Sequence, residues 1–190
     1  MIITICGPPG SGKDTVANIL LSKLCGLGFN YELLSIGDIK RIAAQERNMT
    51  ISEFNEWAYK HPKEGDYYFE NFQREYAKKS DNFVLVSRLG WYAIPHSFKV
   101  YISVDEYEGA KRIFLQKEKD HTSRNEQFCK SIEEQIAINK KRKDSEEKMY
   151  YDLYKANPHD LKNFDCIIDS THKTPDVVVL EIFEHIKDKL

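Results

Sequence analysis

The first fifteen residues constrain this chain more than any other stretch. Met1 to Cys6 is a short apolar run with β-branched residues, which is typical of a strand buried on both faces of a parallel sheet. A glycine-rich loop over residues 7–12 follows, and Lys13 opens a segment with helical periodicity. This order predicts a phosphate-binding loop, because backbone N–H groups and a helix N-terminus can then converge on one anion.

We expect this loop to hold the phosphates of a nucleotide. Its candidate binding residues are Gly7, Pro8, Pro9, Gly10, Ser11, Gly12, Lys13, Asp14 and Thr15. The general motif has Ser or Thr directly after the lysine as a magnesium ligand, whereas this chain has Asp14 and then Thr15. Both are therefore candidate metal-binding residues, since a carboxylate beside a triphosphate must face a metal ion or turn away. The alternative, a glycine turn with a solvated lysine, does not explain why strand, glycine spacing, lysine and helix agree.

Composition narrows the class of protein. A chain of 190 residues suffices for a single domain with a proper core. The net charge of −2 argues against bulk attraction to nucleic acid or to an anionic membrane, but it leaves small anionic ligands possible. The four cysteines have no metal-ligand spacing, and no signal peptide or membrane-spanning run is evident. We expect a cytoplasmic protein that acts as a monomer.

Strands and helices alternate along the chain. After the first strand, four more are predicted, at 31–36, 83–86, 98–104 and 164–168. The pattern predicts an α/β fold, a three-layer P-loop NTPase fold in which helices cover both faces of a five-stranded parallel sheet. Thr174-Pro175-Asp176 predicts the start of a last helix, as an N-cap followed by a first-turn proline.

Two segments interrupt the alternation. Residues 50–79 form a helical pattern in two pieces, with Tyr68, Phe72 and Tyr76 along one face of the second. Such aromatic side chains could cradle a flat base, although they more often form core. A charged stretch over 117–127 is expected to be mobile, and a helix should run from about 128 to 154.

Charged residues follow two of the predicted strands, at the carboxyl ends where parallel sheets form their ligand-binding sites. Asp38 and Arg41 follow the second strand, and Arg88 follows the third. Two arginines near a phosphate loop suit a second anion, because a guanidinium binds phosphate in a bidentate fork. Ordinary surface ion pairs remain the alternative. Arg142 shares a helix face with Asn139 and Glu146, and could reach a transferring phosphoryl group if that helix closes over the site.

With these residues assembled, the chain resembles the P-loop nucleoside monophosphate kinases, and among them the cytidylate-kinase-like group. The resemblance covers nearly the whole length. It rests on segments 7–13, 35–41, 53–56, 87–91, 97–100 and 164–170 and on residues 145, 146, 148 and 150. The segments begin with Gly-Pro-Pro-Gly-Ser-Gly-Lys and include Ser-Ile-Gly-Asp-Ile-Lys-Arg and Ser-Arg-Leu-Gly-Trp.

The resemblance implies transfer of the γ-phosphoryl group of ATP to CMP or dCMP, with Mg²⁺. Lys13 and the loop amides would hold ATP, and Arg142 would meet the γ-phosphoryl group, so these two side chains are the implied catalytic residues. The implied acceptor site consists of Asp38, Arg41, Arg88 and Trp91. A single domain is expected, with an acceptor-binding insert at about 38–80 and a lid region at about 117–150.

Three residues depart from the family pattern. Asp14 replaces the usual hydroxyl residue, Val86 stands where a carboxylate is frequent, and Met149 replaces an arginine common in the lid helix. The departures leave two other functions open. One is a P-loop kinase for another small metabolite, and the other is a nucleotide-binding module that has lost catalysis.

Overall fold

A computed structural model describes residues 1–119 and 129–190. Its five strands pair in parallel in the order β2-β3-β1-β4-β5. Their bounds are β1 Ile3–Cys6, β2 Glu32–Ser35, β3 Phe83–Val86, β4 Phe98–Ser103 and β5 Cys166–Asp169. The register sets Ile5 opposite Val86 on one side and Val100 on the other, so the carboxyl ends of these three strands lie along one edge. The predicted sheet is confirmed.

Eight α-helices occur in the described part of the chain. They are α1 Lys13–Gly26, α2 Ile36–Glu46, α3 Ile51–Lys60, α4 Asp66–Ala77, α5 Gly90–Ala93, α6 Glu106–Lys119, α7 Ile132–Tyr154 and α8 Pro175–Ile186. Short 3-10 turns occupy Leu161–Asn163 and Lys187–Lys189. None of the described helices combines the length and the apolar character needed to cross a membrane.

The core has one layer on each face of the sheet. On one face, Ile3 and Ile5 pack with residues of α1 and α8. On the other face, Ile2 and Leu85 pack with residues of α2, α3, α4 and α5. Ile2, directly before β1, and Ile3 therefore point to opposite layers, as the alternation of side chains along an extended chain requires. This arrangement gives three layers, as the sequence predicts.

Local sequence explains several helix starts. The Thr174 side chain accepts a hydrogen bond from the backbone N–H of Val177, and Pro175 occupies the first turn of α8, as predicted. Thr50 and Glu53 form a reciprocal capping box at the start of α3. These caps satisfy backbone donors that the first turn of a helix leaves unpaired.

Helix α2 begins earlier than the sequence suggested. The sequence predicts a strand that extends through Ile36, whereas β2 ends at Ser35 and Ile36 opens the helix. In the structure Ser35 is the N-cap of α2, because its hydroxyl accepts a hydrogen bond of 3.2 Å from the Asp38 N–H. The helix therefore starts directly after β2, and Gly37 lies within its first turn.

Three other expectations need correction. The buried face of α4 carries Asp66, Phe69, Glu70 and Gln73, whereas Tyr68 is exposed. No helix is predicted between the third and fourth strands, where the structure has the one-turn helix α5. Helix α7 begins at Ile132 with Ser131 as its cap, a few residues later than predicted. Most of the stretch predicted to be mobile, residues 120–127, lies outside the described part of the chain.

Candidate active site

The glycine loop joins β1 to α1 in a conformation that depends on its glycines. Gly10 and Gly12 have φ angles of 79° and 78°, in the left-handed region that side chains disfavour. The Ser11 N–H donates to the Pro8 carbonyl oxygen at 3.3 Å, which closes a turn. Gly12 is the N-cap of α1, so the loop delivers the chain directly to a helix N-terminus. The predicted strand–loop–helix unit is present.

The loop also packs tightly against its surroundings. A Cβ atom on Gly10 would lie 2.2 Å from the Gly109 carbonyl oxygen in α6, and one on Gly7 would lie 2.4 Å from the Ile102 carbonyl oxygen in β4. Both distances are shorter than van der Waals contact, so only glycine fits. The loop is therefore held by β4 and α6 before any ligand binds.

Arg112 of α6 is a further support of the loop that the sequence did not reveal. Its guanidinium donates to the carbonyl oxygens of Ser170 and Thr171 at 2.8 and 2.9 Å. It also donates to the Gly10 carbonyl oxygen at 3.4 Å. One planar fork thus joins the glycine loop to the segment after β5. An arginine within a charged helix gives no sequence signal for such a role.

Lys13 lies at the first position of α1, with its Nζ atom 3.5 Å from the Pro8 carbonyl oxygen. Its ammonium therefore folds back along the loop. Desolvation, and then the positive charge of Arg88, lower the pKa of Lys13 to about 8. The charged form of Lys13 is destabilised by desolvation and by Arg88, so an anion that enters the loop would stabilise it.

Arg88 links the loop to the helix that the sequence assigned to a lid. Its Nε atom lies 2.8 Å from Oε2 of Glu146 in α7, and another guanidinium nitrogen donates to the Gly7 carbonyl oxygen. Arg142, one turn earlier in α7, donates from Nε to Oε1 of Glu146 at 3.0 Å. The structure therefore brings Arg88 and Arg142, predicted from separate segments, to one carboxylate.

Glu146 is the anion at the centre of this group. Burial alone would raise its pKa, but Arg88 and Arg142 lower it to about 2, so the carboxylate is ionised near neutral pH. For Arg88, the Glu146 charge outweighs burial, and its pKa is raised. Sequence reasoning named Glu146 as sharing a face with Arg142 and as one of the residues that carry the family resemblance, but it assigned Glu146 no role in the site. The i, i+4 spacing of the two residues was the available signal.

Two of the acceptor-site candidates, Asp38 and Arg41, lie in α2, and a third, Trp91, lies in α5. Arg41 forms an ion pair with Asp38 across one helical turn, and the Asp38 side chain is exposed. The indole of Trp91 in α5 is half-buried and packs edge-on against Phe164, with ring centroids 6.2 Å apart. The Nε1 atom of Trp91 has no hydrogen-bond partner among the described residues.

Magnesium fits this loop as a companion of a nucleotide. Mg²⁺ keeps several waters and binds through one or two side chains together with substrate phosphates. Thr15 is exposed in the first turn of α1, beside the half-buried Asp14. The described residues hold no cluster of three or more metal-binding His, Cys, Asp or Glu side chains. Thr15, and Asp14 if it turns inward, would complete a coordination sphere supplied mainly by phosphate and water.

Comparison with known proteins adds independent evidence. The family described as AAA domain matches residues 3–152. A cytidylate kinase of Archaeoglobus fulgidus is 33% identical over 100% of this chain and 96% of its own length. One from Halobacterium salinarum is 33% identical over 94% of this chain and 85% of its own.

Solved structures agree on the fold. A crystal structure of an uncharacterized protein from Eubacterium ventriosum superposes with a TM-score of 0.67 at 17% identity, covering 98% of both chains. Shikimate kinase from Acinetobacter baumannii has a TM-score of 0.56 at 16% identity, covering 99% of this chain and 93% of its own. Because the glycine loop, the parallel sheet and near full-length similarity to cytidylate kinases coincide, this chain belongs to the cytidylate-kinase-like P-loop nucleoside monophosphate kinases.

Proposed function

We propose that the protein transfers the γ-phosphoryl group of ATP to CMP or dCMP. The observation that carries this proposal is that Lys13 and Arg88 contact the glycine loop and that Arg142 shares the Glu146 carboxylate with Arg88, in a chain similar to cytidylate kinases along its whole length. Three cations beside one loop suit two phosphate-bearing substrates that must approach each other despite their like charges.

The proposed roles are those that the family resemblance implies, combined with the contacts described above. The loop amides and Lys13 hold the ATP phosphates, and Arg88 and Arg41 hold the phosphate of the acceptor, with Asp38 orienting Arg41. Trp91 contributes to the acceptor site from α5. Arg142 moves from Glu146 toward the γ-phosphoryl group as charge spreads over its oxygens. Bound Mg²⁺ supplies further charge neutralisation to those oxygens.

The proposed mechanism depends on position more than on covalent chemistry. Phosphoryl transfer needs attacking and leaving oxygens in line and water excluded, because water would otherwise accept the group. We propose that the insert at about 38–80 and the lid region at about 117–150 close over the two nucleotides for this purpose. We further propose a cytoplasmic monomer that acts on small nucleotides and not on nucleic acid, in keeping with its net charge of −2.

Two of the three departures from the family pattern have a structural explanation. Met149 is buried and packs with Leu89, Tyr150 and Ala156, so the position serves as core. Val86 is also buried, in the central part of the sheet. Neither residue can supply charge to the site. We therefore expect turnover to depend more heavily on Lys13, Arg88 and Arg142 than in a relative that has those additional groups.

A panel of acceptors tests the proposal directly. The pure protein is incubated with Mg-ATP and, separately, CMP, dCMP, UMP, AMP, GMP or shikimate, and ADP release is measured. Release that requires CMP or dCMP is the expected result. Release only with a non-nucleotide acceptor would replace the proposal with a kinase for another metabolite. Tight ATP binding without turnover on any acceptor would indicate a nucleotide-binding module.

A further inference from the structure

Helix α4 carries an unusual polar face in the interior of the protein. Asp66, Glu70 and Gln73 lie at i, i+4 and i+7, which places them on one side of the helix. Their exposed fractions are 0%, 2% and 0%. Charged side chains are seldom buried this completely unless each is paired, so the face calls for an explanation.

The pairing of this face is incomplete. Lys40 donates to Oδ1 of Asp66 at 2.6 Å, and the Gln73 amide nitrogen donates to the Phe69 carbonyl oxygen at 3.2 Å. Oδ2 of Asp66, Oε2 of Glu70 and Oε1 of Gln73 have no hydrogen-bond partner within the described ranges. Three buried acceptors thus share one helix face without donors, and each unsatisfied atom costs free energy.

The surroundings of these acceptors place them next to the proposed acceptor site. Burial, followed by the negative charges of Asp66, Glu146 and Glu70, raises the pKa of Tyr150, which Arg88 in turn lowers. Packing agrees with this, because the ring of Tyr67 in α4, next to Asp66, lies 5.6 Å from the Tyr154 ring of α7. Tyr150 of α7 also packs in one cluster with Leu89, the residue that follows Arg88. The pKa of the neighbouring Tyr154 is also raised, first by burial and then by the negative charges of Glu70 and Asp66.

Flat rings surround this region. The Tyr154 ring packs on Tyr67, Tyr92 and Tyr150, with centroid separations of 5.6, 5.7 and 6.3 Å. Its hydroxyl is buried without a partner in the described structure. Aromatic faces beside a set of orphan acceptors suit a planar ligand that brings its own N–H donors.

We propose, building on the proposed kinase function, that Asp66, Glu70 and Gln73 form the subsite that reads the amino edge of the acceptor's cytosine. Cytosine has an exocyclic amine with two N–H donors, so it can satisfy acceptors that the protein leaves open. Uracil has a carbonyl oxygen at that position, which would face the same acceptors with like partial charge. The subsite therefore selects CMP and dCMP over UMP.

Glu70 adds a second feature to this selection. Burial raises the pKa of Glu70 to about 7, an effect that Lys40 opposes and Asp66 supports. As a carboxylate, Glu70 can only accept hydrogen bonds, so it suits the cytosine amine and opposes the carbonyl oxygen of uracil. A protonated Glu70 also carries a donor and, like an amide, could serve either base, so the ionised form is the selective one.

The first test uses the unaltered protein, so it does not depend on any variant folding. Binding of CMP is compared by calorimetry with binding of the analogue that lacks only the 4-amino group, the pyrimidin-2-one ribonucleotide 5′-monophosphate. We expect the analogue to bind about tenfold to a hundredfold more weakly, because it leaves buried acceptors unpaired. A loss of less than about tenfold would overturn the subsite and indicate a water-filled polar core. Tighter binding of AMP than of CMP would also overturn it.

The second test assigns the residues. Glu70→Gln keeps the size of the side chain but provides an amide that can rotate to serve uracil, so the ratio of kcat/KM for CMP to that for UMP should fall about tenfold or more. Glu75→Gln, on the exposed side of the same helix, is the matched control and should leave the ratio unchanged. An unchanged ratio in a folded Glu70→Gln protein would overturn the assignment. If the unaltered protein binds no pyrimidine monophosphate, the kinase proposal itself fails; if it binds CMP without the predicted discrimination, only the subsite fails.

Discussion

Lys13 shows how a single residue can serve ligand binding at the expense of the stability of the empty protein. Its pKa of about 8 lies below the ordinary lysine value of 10.5 because desolvation and Arg88 both oppose its charge. The unfolded chain therefore binds the Lys13 proton more tightly than the folded chain. Below about pH 8 the charged side chain lowers the free energy of unfolding, and this cost fades as pH rises from 8 toward 10.5.

Replacement of Lys13 by methionine should therefore stabilise the ligand-free protein while it removes turnover. At pH 7 we expect the free energy of unfolding to rise, on the order of 1–3 kcal/mol, because a desolvated cation is lost. At pH 9.5 the gain should fall to roughly half, since Lys13 of the unaltered protein is then largely neutral when folded. Urea unfolding at both pH values measures the difference. Destabilisation at pH 7, or an equal gain at both pH values, would contradict this view of Lys13.

At the scale of elements, the glycine loop illustrates two separate reasons for glycine. Gly10 and Gly12 share nearly the same positive φ, but only Gly10 faces backbone, at 2.2 Å from the Gly109 oxygen to a Cβ atom placed there. A Cβ atom on Gly12 would meet no described atom within 4 Å. Alanine at position 12 thus adds backbone strain alone, whereas alanine at position 10 must also displace the loop from α6.

Gly10→Ala should consequently destabilise the ligand-free protein more than Gly12→Ala. We expect a loss of about 1 kcal/mol for Gly12→Ala and of about 3 kcal/mol or more for Gly10→Ala. Chemical denaturation of the two variants without nucleotide measures both losses, and each variant serves as the control for the other. Equal losses would mean that the loop does not depend on its contact with α6.

The boundaries of elements were harder to predict than their order. A β-branched run before a glycine loop identifies β1 and α1 because several signals coincide there. At α2 the sequence is ambiguous, since Gly37-Asp38 reads equally well as a break and as the first turn behind the Ser35 cap. On α4, acidic residues at helical spacing resemble a solvated face, and only tertiary packing shows that Asp66 and Glu70 are buried.

At the scale of the whole molecule, the sheet explains why the site could be predicted in part. Parallel strands bring their carboxyl ends to one edge, so residues after β1 and β3 were expected to meet, and Arg88 does reach the carbonyl oxygen of Gly7. Helix α7 brings Arg142 and Glu146 to the site only because of how this long helix packs against the rest of the protein, and no local sequence pattern determines that packing. Glu146 as the shared partner of two arginines was therefore beyond sequence reasoning, although Arg142 itself was named.

Nucleotides that bind the folded protein raise its free energy of unfolding, and this effect can test whether Arg88 binds the acceptor's phosphate or mainly supports the glycine loop. A ligand that binds only the folded state at one hundred times its Kd raises the free energy of unfolding by about 2.7 kcal/mol. We expect ATP and CMP each to give an increment of this size in the unaltered protein. In Arg88→Lys the bidentate fork is lost, so CMP affinity should fall about tenfold to a hundredfold. At the same nucleotide concentration the CMP increment should then shrink to about 0.4–1.4 kcal/mol, while the ATP increment stays near its original size.

Denaturant titrations with and without each nucleotide measure these increments. Arg47→Lys, an arginine at the end of α2 that lies over the Phe54 and Trp57 rings, is the control and should retain both. Parallel loss of the two increments would mean that Arg88 mainly supports the glycine loop through its bond to Gly7. An intact CMP increment would mean that the acceptor's phosphate binds elsewhere. Loss of the CMP increment alone assigns Arg88 to the acceptor, because only that ligand then loses a guanidinium partner.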